Sequence, residues 1–303
     1  MADEMPAVPD VDHRFVNANG IRVHVAEAGP PDAPPVLLLH GWPQHWYMWR
    51  AVIAGLSDRY RLLAPDLRGF GWTEAPGHGY DGETFAADQV ALLDALELER
   101  AHVVGHDWGG WTAFLMGILH ESRVSRMVVC NAPHPWPRLS PRLAAESWRA
   151  WYTWAIATPW LGRRLLPSGW ISRTILGHGN AGEPFTREEI ELYAEGFRAP
   201  ARARAVVELY RYYQRAVREG IAGRWRDHRL ATPTLLLFGE RDLYVSPRLL
   251  PGYERHAGEL RLELVPDSGH FIVNEKPDLV VERSRDWLAG AGDQQPSVPR
   301  AST

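Results

Sequence analysis

Residues 101–110 read AHVVGHDWGG, a short apolar run that ends in a glycine-flanked polar turn and leads into an apolar helical pattern. A sharp turn from a strand into a helix crowds the positions two before and two after its middle residue. Glycine at 105 and 109 removes the Cβ atoms that would clash there. The sequence therefore predicts a strand, a strained turn and a helix, with the Asp107 carboxylate presented at the turn.

Apolar runs of strand length alternate with helical patterns on both sides of this turn. The strand candidates are 21–26, 35–39, 60–64, 101–104, 126–130, 234–238 and 260–265, and the helix candidates include 83–98, 110–119 and 276–288. Runs such as VLLLH and TLLLFG are apolar throughout, as expected for strands covered on both faces of a parallel sheet. The alternation predicts an α/β fold built on a mostly parallel sheet.

The alternation stops over residues 133–228, where the pattern is helical and rich in Trp and Arg. We expect this segment to be a helical lid inserted into a core formed by residues 13–132 and 229–290. The polar ends, residues 1–12 and 291–303, are rich in Pro, Ala and other small or polar residues and are predicted to be disordered tails.

The composition is that of an ordinary globular chain. Of 303 residues, 45% are hydrophobic and 23% charged, and the net charge is −4. No basic block suggests nucleic-acid binding, and no apolar run reaches the length of about 18 residues that predicts a membrane helix. A single cysteine, Cys130, and an N-terminus without an apolar signal stretch favour the cytoplasm. No cluster of Cys and His has metal-ligand spacing and no glycine motif fits a dinucleotide, so we expect neither metal nor cofactor.

Three further segments carry polar residues just after predicted strands. Asp242 follows the strand 234–238, His270 lies in the loop after the next strand, and the HGWP stretch at 40–43 follows an early strand. The chain order is nucleophile, acid and histidine, the order found in α/β-hydrolases. We expect the HGWP loop to supply one of two backbone N–H groups that would stabilise an oxyanion formed during the reaction.

A carboxylate nucleophile favours attack on saturated carbon, because attack on an ester would give a mixed anhydride. Attack by Asp107 on an sp³ carbon gives an alkyl ester, which water activated by His270 then hydrolyses. Asp242 would hold the imidazole in the right tautomer. The backbone N–H groups of Trp42 and Trp108 would form the oxyanion hole, in which one donor contributes roughly 2.7–4 kcal/mol.

Several of these segments together resemble the epoxide hydrolase branch of the α/β-hydrolases. The motifs are HGWPQHWYMWR, PDLRGFGWT, VGHDWGG, NAPHP and DSGHF, in that order, and the resemblance covers residues 14–290. It implies an eight-stranded sheet with a helical lid, and an enzyme that needs no cofactor. The expected partners are a hydrophobic epoxide and water. Asp66 and Arg68, in the DLRGFGWT loop, are expected to brace the site.

An epoxide oxygen leaves as an alkoxide and needs a proton, for which tyrosine is a suitable acid. Tyr152 lies in a Trp-Tyr segment that resembles the one holding the first lid tyrosine of epoxide hydrolases. The second family tyrosine precedes an arginine, which favours Tyr210, but Tyr213 follows an aromatic residue as the family tyrosine often does. Tyr210 is the preferred second proton donor and Tyr213 the open alternative.

The substrate pocket is expected to be aromatic, because 14 tryptophans are present and many lie in the lid segment. The predicted lining residues are Trp111, His134, Trp151, Tyr213 and Phe271. Packing between lid and sheet is the competing explanation for each tryptophan. A homodimer that buries part of the Trp-rich lid is a further expectation.

Two other functions compete with epoxide hydrolysis. A haloalkane or haloacid dehalogenase would use the same Asp107, His270 and Asp242. Against it, Trp42 stands where haloalkane dehalogenases usually have Asn or Glu. Trp108 and Trp111 also stand where a pair of arginines would grip the carboxylate of a haloacid. A ligand receptor would keep the pocket without turnover.

Overall fold

The computed structural model describes residues 5–138 and 140–290. These residues form an eight-stranded sheet in the order β1-β2-β4-β3-β5-β6-β7-β8. The strands are β1 Asp12–Ala18, β2 Ile21–Ala28, β3 Pro35–Leu39, β4 Arg61–Pro65, β5 Ala101–His106, β6 Val124–Cys130, β7 Thr234–Gly239 and β8 Leu260–Val265. Strands β1 and β2, and β2 and β4, pair antiparallel, and all other pairs are parallel. The predicted α/β fold with a mostly parallel sheet is confirmed.

Helices cover both faces of this sheet and continue between β6 and β7. They are α1 Arg50–Leu56, α2 Gly82–Ala95, α3 Trp108–Leu119, α4 Pro141–Glu146, α5 Trp151–Ala157, α6 Pro159–Ser168, α7 Trp170–His178, α8 Arg187–Glu195, α9 Pro200–Ile221, α10 Ile272–Glu275 and α11 Pro277–Leu288. We call α4–α9 the helical insertion. No helix within the described ranges is long and apolar enough to cross a membrane.

Alternate residues of the central strands point into two separate cores. On β3, Leu37 and Leu39 pack in the cluster that also holds residues of α2, α3 and the helical insertion. Val36 and Leu38 pack in the second cluster, with residues of α1 and α11. Because all four side chains are buried, the strand is apolar at every position rather than at every second one.

Strand β1 is not among the strands predicted from the sequence. It is an edge strand in which polar residues are exposed and Phe15 is partly exposed, so its apolar pattern is weak. The signal that could have found it is the turn at Asn19-Gly20, whose two residues have φ angles of 46° and 74°. Asn-Gly in this conformation typically joins two antiparallel strands.

The predicted tails lie largely beyond the described ranges. Residues 1–4 and 291–303 fall outside them. At the N-terminal end, the structure describes residues 5–11 and begins β1 at Asp12, the last residue of the predicted tail.

Candidate active site

Asp107 occupies a strained turn between β5 and α3. Its φ and ψ angles are 51° and −115°, a conformation that non-glycine residues rarely adopt. A Cβ atom on Gly109 would lie 1.9 Å from the backbone oxygen of Leu39, and one on Gly105 would lie 2.5 Å from the backbone oxygen of Gly109. Both glycines are therefore needed for the backbone to pack at this turn.

The two oxygens of the Asp107 carboxylate face different partners. Oδ1 accepts a hydrogen bond from the backbone N–H of Trp42 at 2.9 Å. Oδ2 lies 3.7 Å from Nε2 of His270. Trp108, the other predicted oxyanion donor, is the first residue of α3, whose N-terminus favours negative charge. Gly41 lets this approach happen, since a Cβ there would lie 2.4 Å from Cβ of Asp107.

Asp242 and His270 form a buried pair at the ends of β7 and β8. Nδ1 of His270 lies 2.8 Å from Oδ2 of Asp242. The other carboxylate oxygen of Asp242 accepts from the backbone N–H groups of Tyr244 at 2.7 Å and Val245 at 2.9 Å. Burial opposes the charge of Asp242, but His270 and these donors outweigh it and hold the pKa of the carboxyl below its usual value. The carboxylate is therefore ionised at neutral pH.

The protonation of His270 is set by the two carboxylates beside it. Burial opposes the imidazolium, but Asp242 and Asp107 outweigh it and raise the pKa of His270 to about 10. Esterification of Asp107 would remove one of the two negative charges. The pKa of His270 would then fall, which would prepare the imidazole to accept a proton.

Two tyrosines of the helical insertion lie next to Trp42, which donates a hydrogen bond to Asp107. The ring of Tyr152 stacks on Trp42 at 6.1 Å and 11°, and the ring of Tyr210 meets Trp42 edge-on at 5.5 Å. The two tyrosine rings are 5.8 Å apart, and Tyr210 also lies edge-on to Trp108 at 5.7 Å. Burial raises the pKa of both tyrosines well above 10, so both hydroxyls keep their protons at neutral pH.

Tyr213, the open alternative for the second tyrosine, lies at the edge of this group. Its ring is 6.0 Å from Trp108 and 6.3 Å from Tyr210. Burial raises the pKa of Tyr213 to about 12. Tyr210, by contrast, has ring contacts with Trp42 and Tyr152. These contacts support Tyr210 rather than Tyr213 as the second proton donor.

Comparisons with known proteins identify the family of this chain. A family model described as the alpha/beta hydrolase fold matches residues 34–166. The AB hydrolase superfamily protein YfhM of Bacillus subtilis is 31% identical over 91% of this chain and 97% of that protein. Epoxide hydrolase 4 of Homo sapiens is 30% identical over 88% of this chain and 75% of that protein. This chain belongs to the epoxide hydrolase branch of the α/β-hydrolase family. The solved structure titled epoxide hydrolase CorEH without ligand matches it with a TM-score of 0.80 and 27% identity, over 92% of this chain and 99% of that one.

Of the other predicted pocket residues of this α/β-hydrolase, two lie beside site residues and one packs against α2. Phe271 is fully buried with its ring 5.0 Å from that of His270. Trp151 is half-exposed beside Tyr152, with ring centroids 6.3 Å apart. The Trp111 indole lies instead against Gly82 of α2.

His134 packs against residues other than the aromatic side chains that contact Trp42 and Trp108. Its Nε2 donates to the backbone oxygen of Leu250 at 2.5 Å, and its ring packs against Trp136 and Tyr253. Trp111 lies four residues after Asp107 and His134 lies in the NAPHP motif, but the contacts of both side chains are packing contacts.

Three residues near Asp107, Asp242 and His270 were not predicted. His106 donates from Nε2 to the backbone oxygen of His270 at 2.8 Å, and burial lowers its pKa to about 4, which keeps it neutral. Tyr244 places its ring 5.3 Å from that of His270 and 5.4 Å from that of Tyr152. The side-chain amide of Asn131 donates to Asp242 at 2.8 Å. His106 and Asn131 lie inside the motifs VGHDWGG and NAPHP, and Tyr244 lies two residues after Asp242, so their positions were the signal that could have found them.

The helical insertion is hydrogen-bonded to the loop that carries His270. The backbone N–H of His270 donates to the backbone oxygen of Gly179 at 2.9 Å. The Tyr244 hydroxyl donates to the backbone oxygen of Ile175, in α7, at 2.8 Å. The Glu275 carboxylate accepts from the backbone N–H groups of Gly269 and Ala181. The end of α7 therefore helps to hold the histidine loop in place.

Ion pairs and hydrogen bonds hold the DLRGFGWT loop, which was expected to brace the site. The Asp66 carboxylate is completely buried and accepts from the backbone N–H groups of Trp46 and Trp72. Arg68 binds Asp88 through Nε at 2.8 Å and Nη2 at 2.5 Å. Among the described residues, no group of three or more Cys, His, Asp or Glu side chains is arranged to hold a metal ion.

Proposed function

We propose that this chain is an epoxide hydrolase that converts a hydrophobic epoxide and water into a vicinal diol. The observation that carries the proposal is the pair of buried tyrosines, Tyr152 and Tyr210, that contact Trp42 beside Asp107. Opening an epoxide leaves an alkoxide that needs a proton, and these protonated hydroxyls supply one. Their raised pKa values support the role of acids rather than of bases.

The first step forms an ester on Asp107. One carboxylate oxygen attacks an epoxide carbon, the carbon–oxygen bond of the ring breaks, and a tyrosine hydroxyl protonates the leaving oxygen. Since Oδ1 is held by the N–H of Trp42, the second oxygen, Oδ2, is the proposed nucleophile. The product of this step is a hydroxyalkyl ester together with a tyrosinate.

The second step hydrolyses the ester with water. Once the ester has formed and the pKa of His270 has fallen, the imidazolium gives its proton through solvent to the tyrosinate. The neutral imidazole then takes a proton from water as the oxygen attacks the ester carbon, and Asp242 stabilises the imidazolium that forms. The N–H groups of Trp42 and Trp108 stabilise the oxyanion, and the diol oxygen leaves with the proton from His270. The acid proton of Asp107 then passes to His270, which restores the resting enzyme, so that one epoxide and one water give one diol.

A dehalogenase with the same triad is the alternative function. A halide leaves as an anion and needs N–H donors, such as the indole of Trp108, rather than an acid. The Trp108 ring lies edge-on to the Tyr210 ring, with centroids 5.7 Å apart. Because this contact places an acid, the tyrosine, beside the indole, it favours epoxide opening over halide release.

The deciding experiment incubates the purified protein with styrene oxide and, separately, with 1-bromobutane. Diol is measured by chromatography and bromide with an ion electrode. Diol without bromide is the expected result. Bromide without diol would replace the proposal by the dehalogenase, and binding of both compounds without turnover would favour a receptor.

We further propose that residues 133–228 act as a lid on a core of residues 13–132 and 229–290. Support comes from Tyr152 and Tyr210, which the helical insertion brings to the residues around Asp107. The cytoplasmic location stays a prediction.

A homodimer through the outer surface of the helical insertion is also proposed. Trp148, Trp151, Trp154, Trp160 and Trp170 are between 43% and 73% exposed. Exposed apolar patches of this kind often mark protein interfaces. Light scattering after gel filtration should give twice the chain mass for the wild type and the monomer mass for Trp160→Ser/Trp170→Ser. A monomeric wild type would reject the dimer.

A further inference from the structure

Asn131 lies beside Asp242 but has no assigned role in the two proposed reaction steps. It follows β6 directly, its side chain is completely buried, and its φ angle of 45° is left-handed. Asparagine adopts this conformation more readily than most residues, so a turn could explain the residue by backbone geometry alone. The contacts of the side chain indicate a further role, in holding neighbouring loops.

The side-chain amide of Asn131 joins the two loops that carry the acid and the base. Its Nδ2 donates to Oδ2 of Asp242 at 2.8 Å and to the backbone oxygen of Gly269 at 3.2 Å. Its Oδ1 accepts from the backbone N–H of Gly239 at 3.4 Å. Gly269 directly precedes His270, and Gly239 is the last residue of β7. One amide therefore contacts the Asp242 carboxylate and the backbone next to His270.

The oxygen that Asn131 contacts is also the one that orients the imidazole. Oδ2 of Asp242 receives His270 Nδ1 and Asn131 Nδ2, each at 2.8 Å. A buried carboxylate oxygen needs donors to replace water, and donors to a charged acceptor are the stronger hydrogen bonds. Without the amide, the direction in which Oδ2 faces His270 would depend on the backbone donors to the opposite oxygen alone.

Backbone hydrogen bonds also connect the end of β6 to Asp107, the proposed nucleophile. The carbonyl oxygen of Cys130 accepts from the backbone N–H of Asp107 at 3.1 Å. The N–H of Asn131 donates to the carbonyl oxygen of Leu237, in β7, at 3.0 Å. The end of β6 thus contacts the loops of all three proposed triad residues.

We propose that Asn131 is a positioning residue for the second step, whose side-chain amide fixes the Asp242 carboxylate so that His270 is aligned to activate water. The inference rests on the proposed function for its kinetic consequence. Alkylation of the enzyme uses Asp107 and the tyrosines and does not need this alignment. Loss of the amide should therefore slow ester hydrolysis more than ester formation.

Two variants separate the amide from the turn. Asn131→Gly accepts a positive φ but has no side chain, and Asn131→Asp keeps the shape but places a second carboxylate beside Asp242. With an epoxide that the wild type turns over, both variants should hydrolyse the ester roughly 10- to 100-fold more slowly, which corresponds to the loss of a hydrogen bond to a charged group. Mass spectrometry should then show the alkyl ester accumulating on the peptide that holds Asp107.

Asn19→Gly is a matched control, because Asn19 also has a left-handed φ and donates from Nδ2 to a carboxylate, that of Asp88 at 2.7 Å. It should leave both steps at the wild-type rate. Equal slowing of both steps in Asn131→Gly, or wild-type hydrolysis by either Asn131 variant, would overturn the proposal.

A measurement without substrate separates failure of this inference from failure of the proposed function. The Nδ1 proton of His270, held between imidazole and carboxylate, should give a low-field proton NMR signal in the wild type. The signal should move or broaden in both Asn131 variants and stay unchanged in Asn19→Gly. An unchanged signal in folded Asn131→Gly would overturn the positioning role even if the protein turns over no epoxide.

Discussion

His270 lies closer to Asp242 than to Asp107: its Nδ1 is 2.8 Å from one carboxylate and its Nε2 is 3.7 Å from the other. The first distance is a hydrogen bond, and the second is too long for one. The imidazole is thus fixed by Asp242 and only approaches Asp107. This unequal spacing supports a histidine that acts on a water molecule attacking Asp107 rather than on Asp107 itself.

His270→Gln should stop the reaction at the ester on Asp107. The variant keeps a nucleophile and proton-donating tyrosines but loses the base that activates water. The peptide that holds Asp107 should gain the mass of the epoxide. Asp107→Asn is the control and should show no adduct. No adduct in His270→Gln, with a substrate that the wild type turns over, would reject the covalent mechanism.

Replacing the tyrosines should slow the first step selectively. Tyr152→Phe and Tyr210→Phe are each expected to slow alkylation about tenfold or more, and the double variant about 100-fold or more, because general acids contribute on this scale. Tyr213→Phe, whose ring lies farther from Trp42 and Tyr152, serves as the matched control. Stopped-flow measurement of single turnovers would separate the steps. Should Tyr213→Phe have the largest effect, Tyr213 would be the second proton donor.

Gly41→Ala should disable the site while the fold remains. The added Cβ would lie 2.4 Å from both Cβ and Oδ1 of Asp107, so the nucleophile must move. Displacement by about 1 Å is typically worth a factor of roughly 100 in rate, and a loss of that size is expected. Gly77→Ala is the control, because no heavy atom lies within 4 Å of a Cβ there. Steady-state rates and circular dichroism would show whether activity falls without unfolding.

The interaction of His270 with the carboxylates should make stability depend on pH. Folding raises the pKa of His270 from 6.5 to about 10, because the two carboxylates outweigh burial. The stabilisation is therefore fully present below about pH 6.5 and is lost as the pH rises toward 10. The melting temperature of the wild type should fall over this interval by more than that of His270→Gln. Parallel curves for the two proteins would show that His270 does not carry the effect.

The fold was predictable because its strong signals are local. Leu37, Leu38 and Leu39 lie in a run that only a strand buried on both faces explains, and the glycines at 105 and 109 mark one turn. β1 was missed because an edge strand exposes much of its surface, and its polar residues weaken the alternation. Its turn residues carried the stronger signal.

Contacts within the site were less predictable, since proximity in sequence does not give the direction of a side chain. Trp111 is one turn from Asp107, but it projects toward Gly82. Asn131 follows a recognised strand, but its use depends on Asp242, which is more than one hundred residues away. Such roles emerge only when the ends of three strands are brought to one edge of the sheet.

Because His270 donates a hydrogen bond to Gly179, the helical insertion cannot be replaced freely by that of another α/β-hydrolase. A grafted insertion that pairs well with the sheet but ends differently after α7 would leave the histidine loop without one of its anchors. Chimeras that alter substrate range should therefore retain residues 175–181 of this chain and be joined outside them. Variation is better tolerated on the far side of α5 and α6, where the tryptophans face outward.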